Sequence, residues 1–152
     1  MKPKPKKPDK FDGKASNPKD VAATTRLDLS LFPPAAAAYG ALAMTEGDLR
    51  YGGYNYRVSG VMASVYYAAC RRHLDKWFNG EECDPATHVP HLASALACIG
   101  VIVDAVEQGK LNDDRPPVQS SSIYRRFEEI VGHLQRTFPR RAARYRQTPS
   151  EP

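Results

Sequence analysis

Proline and glycine cut this chain into stretches of helical length, and between the cuts the apolar residues recur every three or four positions. That periodicity leaves a bundle of helices as the way to bury the apolar faces. Pro33 and Pro34 suit a first helical turn, and the alanines after them are the best helix formers. A first helix is predicted over about 34–45, stopped by Gly47. Before it, Leu27, Leu29 and Leu31 alternate with other residues, as in a short extended segment lying on the domain. A second helix is predicted over about 61–79, where Met62, Val65, Ala69, His73 and Trp77 share one inward stripe before Gly80. A third runs over about 90–108, with Leu92, Ala95, Leu96, Ile99, Ile102, Val103 and Val106 as a broad apolar face and Gly109 as its cap. A fourth starts in the serine cluster at 120–122, a good N-cap supply, and carries Ile123, Phe127, Ile130, Val131, Leu134 and Phe138 as its buried stripe. Between the helices, GDLRYGGYNYRVSG reads as a loop, and GEECDPATHVP as a loop too acidic and Pro-broken to be core. The expected fold is all-α, a four-helix bundle in one domain over 20–138, with a basic arm over 1–19 and a basic tail over 139–152.

A chain of 152 residues has room for one such core. Its sequence pI of about 9.2 points first to nucleic acid, but the charge is unevenly placed. Residues 1–20 carry a net +4 and residues 136–152 another +4, whereas 21–135 carry −3. A nucleic-acid-binding domain more often carries its basic charge on the folded body, so the ends read as solvated or disordered tails, with a nucleic-acid arm as the alternative. No apolar run approaches the roughly 20 residues of a membrane span, and the N-terminus has no apolar h-region. Cys70, Cys83 and Cys98 form no CxxC pair, which suits a reduced, cytoplasmic setting.

The stretch RRHLDKWFNGEECDPATHVPHL is the richest in chemistry. It sets Glu81, Glu82, Asp84, His88 and His91 close together between two helices. Crowded carboxylates repel and usually have a partner, for which a hard divalent cation is the obvious choice. His91 adds a nitrogen, which Mn²⁺ tolerates better than Mg²⁺. The plain alternative is a solvated acidic loop with Asp84 as a helix cap. His73 reads equally as a catalytic or a satisfied core histidine, and Arg72, its neighbour, faces another way. Arg50, Tyr51, Asn55, Tyr56 and Arg57 mix phosphate-pairing cations, stacking rings and an amide for a base edge, with a chance surface loop as the alternative. Asp113, Asp114 and Arg115 form either a further phosphate or metal contact or an ordinary turn. There is no Walker loop, HExxH, zinc spacing or GxSxG. The apolar setting of Cys98 argues against a reactive thiol.

The succession NPKDVAATTRLDLSLFPPAAA, RYGGYNYR, VMASVYYAACRRHLDKWFNGEECDP, HLASALACIGVIVDA and GKLNDDRPP resembles the phage dATP/dGTP diphosphohydrolase family over about residues 17–117. Within it the motifs are most similar to those of MazZ-type enzymes, from phages that replace adenine with 2-aminoadenine. The resemblance implies a MazG-like all-α fold and two or more Mg²⁺ or Mn²⁺ ions. It also implies hydrolysis of a purine dNTP between the α- and β-phosphates, as a homodimer or homotetramer in the host cytoplasm. Carried over by motif, Glu81, Glu82 and Asp84 fall on the acidic loop as catalytic and metal residues, His91 on the HL that opens the next helix, and Arg72 and His73 on the RH of the second helix. Tyr51, Asn55 and Arg57 fall on the nucleotide-reading loop, with Arg50 at its basic position. The chain departs from the pattern at Tyr56, Ala86, His88 and Ser94, and the paired ExxE of MazG proper is missing, leaving Glu46 as the nearby carboxylate to supply a similar ligand. Arg50, Arg57 and Arg115 are then the phosphate clamps, and Trp77 or a loop tyrosine the base stack. The implied substrate is dGTP, with GTP or dATP next, and the dGMP product would feed synthesis of a modified purine nucleotide. A non-catalytic nucleotide- or DNA-binding phage protein is the rival from another class.

Overall fold

The computed structural model describes residues 26–118 and 122–139. The arm at 1–19, serines 120 and 121, and all but the first residue of the 139–152 tail lie outside the described residues. The chain divides into two compact units between Asp114 and Arg115.

In the first unit the leucine-rich lead-in is not extended. Asp28 accepts from the Ser30 amide at 2.9 Å and curls Leu29–Leu31 into a 3₁₀ turn, with Leu27, Leu29 and Leu31 exposed. Helix α1 spans Pro34–Tyr51, longer than the sequence suggests. Gly47 lies inside it at the modest cost of an internal glycine, about 1 kcal/mol, and the stop is Gly52 at φ 85°. Part of the expected loop is helical too. Tyr54 (φ 58°) and Gly60 (φ 74°) bracket the short helix α2, Asn55–Ser59.

Two residues expected to open the second helix pair as a strand instead. β1 (Val61–Met62) runs parallel to β2 (Leu111–Asn112), with Val61 opposite Leu111 and Met62 opposite Asn112. The Val61 amide also donates to the Lys110 carbonyl at 3.0 Å. Helix α3 then spans Ala63–Phe78, and Asp114 caps its start. One Asp114 oxygen accepts from the Ser64 amide at 2.8 Å and the other from the Ser64 hydroxyl. Helix α4 spans His91–Glu107 and ends at Gln108 and Gly109.

α4 is the central helix, packed on both α1 and α3. Its inward face differs from the one marked by its largest residues. His91, Ala93, Ala95, Val101 and Ala105 are buried, while Ile99, Val103 and Val106 are exposed. Small side chains let helix backbones approach, so the alanines mark the contact. One core cluster joins Tyr56, Val61, Val101 and Ala105, with Met44, Tyr66 and Leu111 packed on it. The other joins Ala43, Val89 and Ala93. Val89 belongs to the acidic loop, so that loop does contribute to the core.

In the second unit, α5 spans Ser122–Thr137. Its stripe from Ile123 to Leu134, with Phe138 just beyond, is amphipathic as expected but not buried; each of the six residues remains exposed among the described residues. No helix of the described residues is long and apolar enough to cross a membrane.

Candidate active site

The acidic loop is held shut by its own backbone. Cys83 and Pro90 form an antiparallel bridge, the Asp84 amide donates to the Val89 carbonyl at 3.0 Å, and the His91 amide donates to the Glu82 carbonyl at 2.9 Å. Inside this turn, Asp84 Oδ1 accepts from the amides of Ala86 (2.9 Å) and Thr87 (3.1 Å). Those two bonds favour the ionised form and hold the Asp84 carboxyl below the ordinary range. Oδ2 lies outside them.

Asp84 and Thr87 form one wall of a cleft of about 420 Å³. Glu46, Arg50 and Tyr51 of α1 line the cleft too, as do Val65, Ala69 and His73 of α3. Val65, Ala69 and His73, the middle of the stripe that reads as core from its spacing, are therefore cleft lining, while Met62 and Trp77 are not. Helical spacing brings Glu46 and Arg50 to one face, where Glu46 Oε1 lies 2.9 Å from the Arg50 guanidinium. Ser94 and Cys98 of α4 complete the lining. Burial pushes the Cys98 thiol up to about 11, so at neutral pH it offers the cleft no thiolate, as its apolar setting suggested.

Behind His73 lies a connected set of polar side chains. His73 Nδ1 is 3.0 Å from His91 Nδ1, and His91 Nε2 is 3.0 Å from Glu81 Oε1. The same Glu81 oxygen accepts from Lys76 Nζ at 3.0 Å. The His91 ring is fully buried. Bonds from His91 and Lys76 keep the Glu81 carboxyl low. The His73 imidazole is shifted down by burial first, then by the neighbouring His91, Lys76 and Arg72.

A second, more apolar recess of about 170 Å³ shares Tyr51, Tyr66 and Cys98 with the cleft and adds Tyr54 and Asn55. The structure thus brings Glu46, Arg50, Tyr51, His73 and Asp84 to one cleft, with Asn55 in the adjoining recess. Other candidates stand elsewhere. Arg57 is bound by Asp104 through two nitrogens, at 2.8 and 2.5 Å, with its guanidinium 5.2 Å from the Tyr54 ring centre. Glu82, Arg72 and Trp77 are exposed and outside the cleft lining. Arg115 belongs to the second unit. Among the described residues, no three His, Cys, Asp or Glu side chains are gathered as a ligand set, so Glu81, Glu82, Asp84 and His91 do not form a ready-made cluster. Sequence reasoning missed Lys76 and Thr87. Lys76 stands on the last turn before the loop, five residues from Glu81, a signal that could have found it.

The family model described as dATP/dGTP diphosphohydrolase, N-terminal, matches residues 16–115, a span that contains the whole cleft. No curated protein and no solved structure matches the chain.

Proposed function

The chain belongs to the dATP/dGTP diphosphohydrolase family, and we propose that its cleft hydrolyses dGTP, with GTP and dATP as weaker substrates, to the monophosphate and pyrophosphate. The observation that carries this reading is the meeting of Glu46, Arg50, His73 and Asp84, from three separate elements, in one cleft joined to an aromatic recess. In this reading the recess takes the base. Tyr51 offers a ring for stacking, and the Asn55 amide offers both a donor and an acceptor to a purine edge. The larger cleft takes the triphosphate, with the half-exposed Arg50 guanidinium as its phosphate partner.

The donor set suits a hard divalent cation. Two carboxylates, Glu46 and Asp84, line the cleft with no thiolate beside them, which matches Mg²⁺ or Mn²⁺ better than a soft metal. Such ions, once bound by these carboxylates, would supply charge neutralisation for the triphosphate and a more acidic water. Asp84 is held in place by the two loop amides and the Glu46 carboxylate by its ion pair with Arg50. The product dGMP would be available to an enzyme that modifies purine monophosphates.

The test is direct. With dGTP and Mn²⁺, the protein should release pyrophosphate and dGMP in equal amounts, and chelation by EDTA should abolish turnover until Mn²⁺ or Mg²⁺ is restored. Release of inorganic phosphate and dGDP would make the protein a different phosphohydrolase. Binding of dGTP without products would make it a nucleotide-binding protein. Full turnover in EDTA would remove the metal from the reading.

A further inference from the structure

We propose that Glu81 and His91 are positioning residues that fix His73 with its proton on Nδ1, so that Nε2 of His73 presents a bare lone pair to the cleft. The inference deepens the hydrolase reading above and rests on it for the identity of the reaction. A neutral imidazole has one nitrogen that donates and one that accepts, and the proton position on one nitrogen is set by the hydrogen bond the other makes. The chain of contacts therefore has a direction. Glu81 Oε1 is an acceptor, and the ammonium of Lys76 on the same oxygen can only donate. His91 must then donate from Nε2. An imidazole carrying that single proton offers Nδ1 as an acceptor, and the 3.0 Å contact to His73 Nδ1 is then filled by the proton of His73. Nε2 of His73 is left without a proton. His73 lines the cleft, and Nε2 is the ring nitrogen not committed to His91.

The arrangement orients a nitrogen in the way an outer carboxylate orients a histidine at many polar sites.

The lone pair is suited to one step. As water attacks the α-phosphorus, the new P–O bond takes the oxygen's electron pair. The bond from the α-phosphorus to the bridging oxygen breaks, and pyrophosphate leaves with that bond's electrons. The proton lost by the water passes to His73 Nε2. Glu81 and His91 are absent from the cleft lining; they act through His73.

Long-range ¹H–¹⁵N NMR on the full chain reads the tautomer without reference to activity. The expected spectrum of the wild-type protein shows His73 protonated on Nδ1 and bare on Nε2. A wild-type His73 protonated on Nε2 overturns the proposal. Two variants then separate positioning from a direct metal-ligand role for Glu81. Glu81→Ala removes the acceptor; His73 should lose its fixed tautomer, and kcat should fall by about tenfold or more with KM within about threefold. Glu81→Gln keeps an Oε1 that can accept from both His91 and Lys76, so it should retain the tautomer and recover most of the turnover. A Gln variant as inactive as the Ala variant, with the His73 tautomer intact, overturns the positioning role. A wild-type chain that shows the tautomer but no dGTP hydrolysis overturns the reaction assigned to His73 Nε2 along with the hydrolase reading, while the hydrogen-bond chain stands.

Discussion

Glu46→Gln separates a surface ion pair from a reacting site by size of effect. Glutamine has nearly the same shape, keeps an acceptor oxygen for Arg50, and loses one negative charge. The pair it disturbs lies at 2.9 Å on the α1 surface, with side chains 52% exposed for Arg50 and 25% for Glu46. An i,i+4 pair so open to solvent stabilises a helix by about 0.3–0.5 kcal/mol. For a unit of this size that is a melting shift of roughly 2–4 °C at most. If Glu46 instead faces the triphosphate and its cations, turnover should fall by about a hundredfold, equivalent to about 2.7 kcal/mol in the barrier. The assay is pyrophosphate release from dGTP across a Mn²⁺ titration, run beside a thermal melt of the same preparation. Arg50→Gln is the control: it breaks the same ion pair, so it should give the same small melting shift, but should raise KM more than it lowers kcat. Turnover of Glu46→Gln within about threefold of wild type would refute the reasoning and return Glu46 to the helix surface.

Arg57→Lys replaces a two-pronged grip on Asp104 with a point charge; the melting temperature should drop while KM for dGTP stays within about threefold, and the reverse pattern would place Arg57 at the substrate. Gly60 has φ +74°, and a Cβ there would lie 2.8 Å from the Lys110 carbonyl oxygen; Gly60→Ala should cost at least about 1–2 kcal/mol in urea unfolding. Gly100→Ala, in α4 with nothing within 4 Å of the added carbon, should instead gain about 0.5–1 kcal/mol. The Asp114 carboxyl is held below its ordinary 3.8, first by the Ser64 hydroxyl, so its contribution is present above about pH 3.8 and is lost as pH falls through the lower folded value. Ser64→Ala should therefore flatten the acid limb of stability, and an unchanged limb in pH-dependent unfolding would exclude Asp114 as its source.

The sequence made the helices readable because their ends depend on local chemistry. Pro34, Gly80 and Gly109 stand within a residue or two of real boundaries. Gly47 misled, because a single internal glycine costs less than the packing that holds α1 together. Faces were harder to read than lengths. On α4 the bulky Ile99, Val103 and Val106 look like core, yet the small Ala93 and Ala105 are fully buried, since size rewards burial only where neighbours leave room. Of the site, Glu46, Arg50, Tyr51, His73 and Asp84 were legible as chemical types, and their meeting was not. Nothing local brings Asp84 across from Glu46, or tells Arg57 that Asp104, 47 residues on, will hold it. The contact of His73 with His91 likewise depends on the backbone bridge of the acidic loop, which no periodicity reveals.

The two-residue pairing of β1 with β2 has a mechanical consequence. It closes the chain from Val61 to Asn112 into a ring, and Asp114 latches the ring again onto Ser64. His73, Asp84, Ser94 and Cys98 all belong to the ring, whereas Glu46, Arg50 and Tyr51 hang from α1 outside it. α1 meets the ring through Ala43 against Val89 and Ala93 and through the partly buried Met44 against the cluster of Val61, Val101 and Ala105. Moving α1 would therefore mean unpacking it from α4. The cleft is thus assembled from two pieces of the chain, a closed ring and a helix packed on it.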